Sequence, residues 1–209
     1  MRIAVIGAGS VGGALAGAAR SVGHDVVVAA TSHAKAQDVA AGLGVEAAAS
    51  PRDAVRHADA VVLAVPFRSV CELAEELSDA LDGKIVVDVT NPLAPNLTGL
   101  ATGEISGAEM IQERAPGARV VKAFNTIFAE KQADPTADGT AFDGLVAGDD
   151  PAAKAAVLEL TEAIGYRPMD AGTLSAARYL EGMAFLNIWL NVQNGWGRRT
   201  GWRLMGAGD

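Results

Sequence analysis

Six residues after its first methionine the chain turns into glycine: Ala4 to Ala16 reads AVIGAGSVGGALA, with Gly7, Gly9, Gly12 and Gly13 close together. The apolar run before the glycines predicts a strand, and the alanine-rich pattern after them predicts a helix. The glycines therefore fall in the turn between. Gly7 permits the tight reversal, Gly9 permits a phosphate to approach the backbone, and Gly12 lets the helix pack closely on the strand. Unpaired N–H groups at the helix N-terminus then form an anion site. A chain that opens this way is committed to a βαβ unit, and so to a parallel sheet.

The remainder repeats that alternation. Strands are predicted at 2–6, 25–30, 59–65, 84–89, 118–123 and 142–148, with helices at 11–22, 34–42, 69–81 and 151–164. HADAVVLAVP and KIVVDV are nearly continuous apolar runs, as strands covered on both faces require. Ser50 with Pro51 and Asp150 with Pro151 are N-cap and first-turn pairs, and Gly165 supplies a left-handed helix stop. The expected fold is α/β: a Rossmann-type, doubly wound, mostly parallel sheet with a small C-terminal helical extension. Residues 1–125 read as the dinucleotide-binding domain and 126–209 as a small acceptor-binding and dimerisation part packed with it as one unit. The segment from Asn96 to Gly107, rich in Gly, Thr and Ser, is expected to be a mobile loop.

Composition removes several function classes. With a net charge of -8 and a pI near 4.9, the chain is not expected to bind nucleic acid, which needs clustered Lys and Arg. The longest apolar segment, near Tyr179 to Val192, is too short to span a membrane and carries Glu181, Asn187 and Asn191. No signal peptide is read at the start, and the single cysteine, Cys71, allows neither an internal disulfide nor a Cys-rich metal site. No metal constellation is found. A cytoplasmic protein acting on a small-molecule redox partner is expected.

The end of the second strand bears on the nucleotide. An NAD site places a carboxylate there for the ribose 2′-OH, but VVVAATSHAKA has Ala29 and Ala30 instead. Thr31, Ser32, His33 and Lys35 follow, supplying hydroxyls and positive charge for a 2′-phosphate, so NADP is expected; Ser32 would serve equally as a helix cap. Three further loops, AVPFRS (64–69), DVTNPL (88–93) and KAFNTIF (122–128), lie at carboxyl ends of strands, where open α/β sheets bind ligands.

No catalytic residue is assigned. Reduction of a carbonyl would call for a Lys, His or Tyr to protonate the developing alkoxide. His24, His33 and His57 are poorly placed for this, and Lys122 is as well explained by burial as by catalysis. An acceptor whose ring takes hydride directly, a flavin or deazaflavin, fits that gap. A carbonyl or imine reductase and a non-catalytic NADP-binding sensor remain as alternatives.

The chain resembles the coenzyme F420-dependent NADP oxidoreductase family. The likeness rests on IGAGSVGGALA, TSHAKA, AVPF, DVTNPL, VVKAFNTIF and the late GTLSAARYLEGMA. It implies hydride transfer between NADP(H) and the deazaflavin F420, in a homodimer. By position it implies that Gly7, Gly9, Ser10, Val11 and Gly12 bind pyrophosphate and that Thr31, Ser32, His33 and Lys35 meet the 2′-phosphate. Ala64, Val65, Pro66, Asn91, Ala123 and Asn125 would surround the nicotinamide and the acceptor ring.

The tail GWGRRTGWRLMGAGD sets Arg198, Arg199 and Arg203 among Trp196 and Trp202, with no acidic residue between Glu181 and Asp209. It could meet the phosphate and glutamates of F420, or its tryptophans could pack in a dimer interface. The helix from Leu174 to Val192 is apolar nearly all round and is expected to be buried, against a second subunit.

Overall fold

The computed structural model describes residues 1–206. Its eight-stranded sheet has the order β10-β9-β6-β5-β4-β1-β2-β3, with β1 Arg2–Ile6, β2 Asp25–Ala29, β3 Glu46–Ala47, β4 Ala60–Leu63, β5 Ile85–Asp88, β6 Arg119–Lys122, β9 Asp143–Gly148 and β10 Arg167–Gly172. All pairs are parallel except β6 with β9, where Val121 and Lys122 face Gly148 and Ala147. A separate two-residue hairpin joins β7 Thr136–Ala137 to β8 Thr140–Ala141. Chain order reverses between β1 and β4, which opens a crevice at their carboxyl ends.

Helices α1 Ser10–Ser21, α2 His33–Leu43, α3 Pro51–Arg56, α4 Phe67–Glu76, α5 Ser78–Leu81, α6 Gly107–Arg114, α7 Pro151–Ile164 and α8 Ala177–Asn194 cover the two faces. Side-chain alternation along each strand divides the core. Ile3, Val5, Val26, Val28 and Val62 enter the cluster on one face, while Ala4, Ile6, Val27, Val61 and Leu63 enter the other.

Several elements depart from the expectation. The helix predicted over 69–81 breaks at Leu77 into α4 and α5. The two-residue β3 and the irregular RPMDAG of β10 offered too little apolar periodicity to register. The predicted loop 96–107 leads straight into α6, whose Ser106 and Glu109 form a reciprocal capping box. The C-terminal helix differs most. Its inward face carries Glu181, Asn187 and Asn191 beside Leu180 and Ala184, whereas Tyr179, Leu186, Trp189 and Val192 are exposed. It is not buried all round; its polar residues point in and its large apolar ones point out. No helix among the described residues is long and apolar enough to cross a membrane.

Candidate functional site

The glycine turn is built as its sequence requires. Gly7 holds φ +126, and a Cβ on it would collide with the carbonyl oxygen of Ala64 on the neighbouring strand end. A Cβ on Gly12 would strike the carbonyl of Gly7, so α1 sits directly on the turn. Gly9, the N-cap of α1, offers no side-chain cap and has open space where its Cβ would project. The start of α1 is therefore uncapped and opens beside a concavity, the arrangement that binds a phosphate.

That concavity is a cavity of about 390 Å³ lined by Gly7, Gly9, Thr31, Ser32, Lys35, Ala64, Val65 and Pro66, with Pro51 and Leu73 opposite. Ser32 is also the cap of α2, its Oγ accepting from the Lys35 N–H at 3.4 Å, so both readings of that serine hold together. His33 is turned away: its Nδ1 lies 3.0 Å from the carbonyl oxygen of Ala48, and it does not line the cavity. The second strand ends without a carboxylate, at Ala29 and Ala30.

A second cavity, of about 210 Å³, is lined by Ser10, Val11, Asn91, Asn125, Thr126 and Phe128, with Ala184, Asn187 and Ile188 from α8. A third, of about 190 Å³, shares Ala64, Val65 and Pro66 with the first and Val11 and Asn91 with the second. The three form one trough along the carboxyl ends of the sheet. Ala123 lines none of them. It follows β6 and packs in the core with no exposed surface, so its expected place beside the acceptor ring is not seen.

Asn91 and Asn125 are locked to each other. Asn125 Nδ2 donates to Asn91 Oδ1 at 2.9 Å and to the Leu180 carbonyl at 3.1 Å, while Asn91 Nδ2 donates to the Asn125 carbonyl at 3.0 Å. The turn before Asn125 is unusual, because Phe124 adopts φ +58, a conformation most side chains avoid. Gln132 holds it, donating Nε2 to the Phe124 carbonyl at 2.7 Å and accepting from the Tyr166 hydroxyl, whose ring meets Phe124 edge-on.

Beneath this pair lies a buried ionic cluster. Lys122 has no exposed surface, and its ammonium donates to Asp88 Oδ2 at 2.8 Å, the Thr90 carbonyl at 2.6 Å and Glu181 Oε1 at 3.0 Å. All three N–H bonds are thereby used within the protein, and Lys122 lines none of the cavities described, so it has no proton for a ligand. Glu181 also accepts from the Gly107 N–H at the start of α6. Burial pushes the Glu181 carboxyl above the ordinary carboxylate range, against the opposing pull of Lys122. Sequence reasoning singled out Lys122 but missed its partners, because Asp88 and Glu181 lie 34 and 59 residues away. Their signal was charge within otherwise apolar strand and helix runs, which only burial with a partner explains.

The tail divides. Arg203 donates to the Ala141 carbonyl at 3.1 Å and lies 4.0 Å from Asp143, and the Trp202 carbonyl accepts from the Asp143 N–H at 2.7 Å. This part is strapped onto β9. Trp196 is exposed, and Arg198 reaches the second cavity, 3.6 Å from Glu130. Residues 207–209 of the predicted patch lie outside the described residues.

A family model described as NADP oxidoreductase, coenzyme F420-dependent, matches residues 2–92. The F420-dependent NADP reductase of Methanothermobacter thermautotrophicus is 33% identical over 212 residues, spanning 93% of this chain and 90% of its own length. The metalloreductase STEAP3 of Rattus norvegicus is 38% identical over 133 residues, 62% of this chain and 25% of that protein. A crystal structure from Arthrobacter sp. FB24 superimposes with a TM-score of 0.85 at 30% identity, covering 98% of this chain and 99% of that one.

Proposed function

This chain belongs to the coenzyme F420-dependent NADP oxidoreductase family, and we propose that it transfers a hydride between NADP(H) and the deazaflavin F420. One observation carries the reading: the trough joins an open helix N-terminus and a Lys35-bearing cavity at one end to the α8-walled cavity beyond Asn91 and Asn125 at the other. A dinucleotide fits the first part, since the turn is free of side chains where a pyrophosphate would lie.

The nicotinamide and deazaflavin rings supply hydride donor and acceptor; the protein holds them in line and keeps water away. The backbone from Gly7 to Gly12, including Ser10 and Val11, binds the pyrophosphate through N–H groups. Thr31, Ser32 and Lys35 receive the 2′-phosphate, with His33 bracing their loop from behind against Ala48. Ala64, Val65 and Pro66 wall the trough, and the Asn91–Asn125 pair fixes its narrow middle. Glu130 and Arg198, the ionisable residues lining the second cavity, are paired at its exposed rim. No general acid is set over a carbonyl there, which favours a ring acceptor over a carbonyl or imine substrate.

Residues 126–209 serve as the acceptor-binding and dimerisation part. The outward Leu186, Trp189 and Val192 of α8 form an apolar strip suited to the same helix of a second copy, so the enzyme is a homodimer. Its single cysteine suits a reducing cytoplasm.

The test is absorbance at the F420 band with purified protein and NADPH, with NADH and FMN as parallel controls. Bleaching that needs both protein and NADPH is expected. NADPH binding with no bleaching of F420 would sink the reading.

A further inference from the structure

Beyond the second cavity the trough opens into a larger one of about 540 Å³, and the two share Phe128, Ile188 and Arg198. Leu97 and Val192 complete its apolar walls, and Arg198 is the one charged residue among those lining it. The backbone is bent to put that guanidinium there. Arg198 has φ +59, between Gly195 and Gly197 at φ +67 and +69 before it and the Asn187–Thr200 bond behind it. A left-handed arginine is costly and persists only where its surroundings enforce it. Here its own N–H donates to Asn191 Oδ1 at 3.1 Å.

The guanidinium itself is loosely held. Its acidic partner, Glu130, is 3.6 Å away, and the two side chains are 70% and 49% exposed. Such a pair contributes little, so a better anion displaces the carboxylate cheaply. Arg203 is committed to β9, and Arg199 lines no cavity described, which leaves Arg198 as the tail cation that meets the trough.

Resting on the F420 reading above, we propose that Arg198 is the specificity residue for the anionic chain of the acceptor, and that Glu130 is its tethered stand-in until the acceptor arrives. F420 carries a phosphodiester and glutamate carboxylates on the chain hanging from its ring, and a planar guanidinium suits both. The ring enters the second cavity beside Asn125, and the chain leaves through the larger one past Arg198. In a protein of net charge -8, a local cation at this mouth offsets the general repulsion of an anionic ligand. The trough thus reads a phosphate at each end, with Lys35 at one and Arg198 at the other.

The experiment compares F420 with its tail-less ribityl deazaflavin fragment, by equilibrium fluorescence titration and by bleaching with NADPH. Wild-type protein should prefer F420 about tenfold or more, the scale of one charged hydrogen-bonded contact. Arg198→Gln should bring the ratio of the two affinities toward one. Glu130→Gln should instead tighten F420 up to about fivefold, the most an exposed pair withholds. Equal affinity of wild-type protein for both compounds, or a preference that survives Arg198→Gln, overturns the assignment. If both compounds bind and are bleached without discrimination, only this inference fails; if neither binds while NADPH does, the F420 reading falls with it.

Discussion

The two ends of the trough are made by different means. At the nucleotide end the backbone does the work: Gly7, Gly9 and Gly12 lie within six residues of one another, and what matters is the absence of side chains. At the acceptor end side chains do it. Asn91, Asn125 and the Leu180 carbonyl, with Lys122, Asp88 and Glu181 beneath them, come from segments up to 59 residues apart in their bonding. A backbone-built site depends on sterics and a strand register; a site built from buried polar side chains depends on every partner being present. The first tolerates little bulk, the second little subtraction.

The most severe test of that contrast is Lys122→Met. It leaves two carboxylates buried without their cation, and the protein should lose about 3–5 kcal/mol of stability, seen as a lower denaturation midpoint. A small loss would mean that water reaches the cluster and that the acceptor end is less dependent on its partners than its geometry indicates. Gly12→Ala probes the other end. The added methyl meets the Gly7 carbonyl, so the turn must shift, and turnover with NADPH should fall about a hundredfold, as a misplacement near 1 Å does. Wild-type kinetics in that variant would show that the turn has room the structure does not reveal.

Smaller changes sharpen the comparison. Lys35→Ala should cut the preference for NADPH over NADH about tenfold, the scale of one charged hydrogen bond; equal losses for both nucleotides would remove Lys35 from 2′-phosphate recognition. Glu181→Gln should have the smallest effect and a distinctive pH dependence. Burial raises this carboxyl above 4.5, its ordinary value, while Lys122 opposes the rise and the Asp88 charge adds to it. A carboxyl that folding makes a weaker acid contributes stability that is present below 4.5 and is lost as pH rises through the raised value. Urea midpoints of the variant should therefore decline less than those of wild type as pH increases from 4.5. Parallel curves would mean that Glu181 does not titrate in that window.

How much could be read beforehand follows the same division. Strands β1, β2, β4, β5, β6 and β9 and helices α1, α2 and α7 announce themselves by apolar runs, an Asp-Pro start and a glycine stop, while β3 and α6 do not. That Gly7, Gly9, Thr31, Ser32, Lys35, Ala64, Val65 and Pro66 meet around one cavity was legible because strand, turn and helix occur in a fixed local order. Ala123 was placed by its neighbours in KAFN and turned out to face the core. The Gln132–Tyr166 support of Phe124 was invisible, since no spacing rule links residues 34 positions apart. The C-terminal helix misled for a subtler reason. Its overall apolarity was plain, yet the inward side goes to Glu181, Asn187 and Asn191, because the Lys122 ammonium pairs the first, the Thr126 and Thr200 carbonyls accept from the second, and the second accepts from the third.

The Lys122 cluster also has a consequence in time. During synthesis Asp88 and Lys122 leave the ribosome well before Glu181, which follows Lys122 by 59 residues. At about 5–20 residues per second, that gap lasts about 3–12 s. Through it β5 and β6 can pair and the glycine turn can close, while the ammonium has one carboxylate instead of two and α8, which walls the second cavity, is still to come. A nascent chain in this interval already holds the residues that line the first cavity, but none of the α8 side chains, Ala184, Asn187 and Ile188, that wall the second.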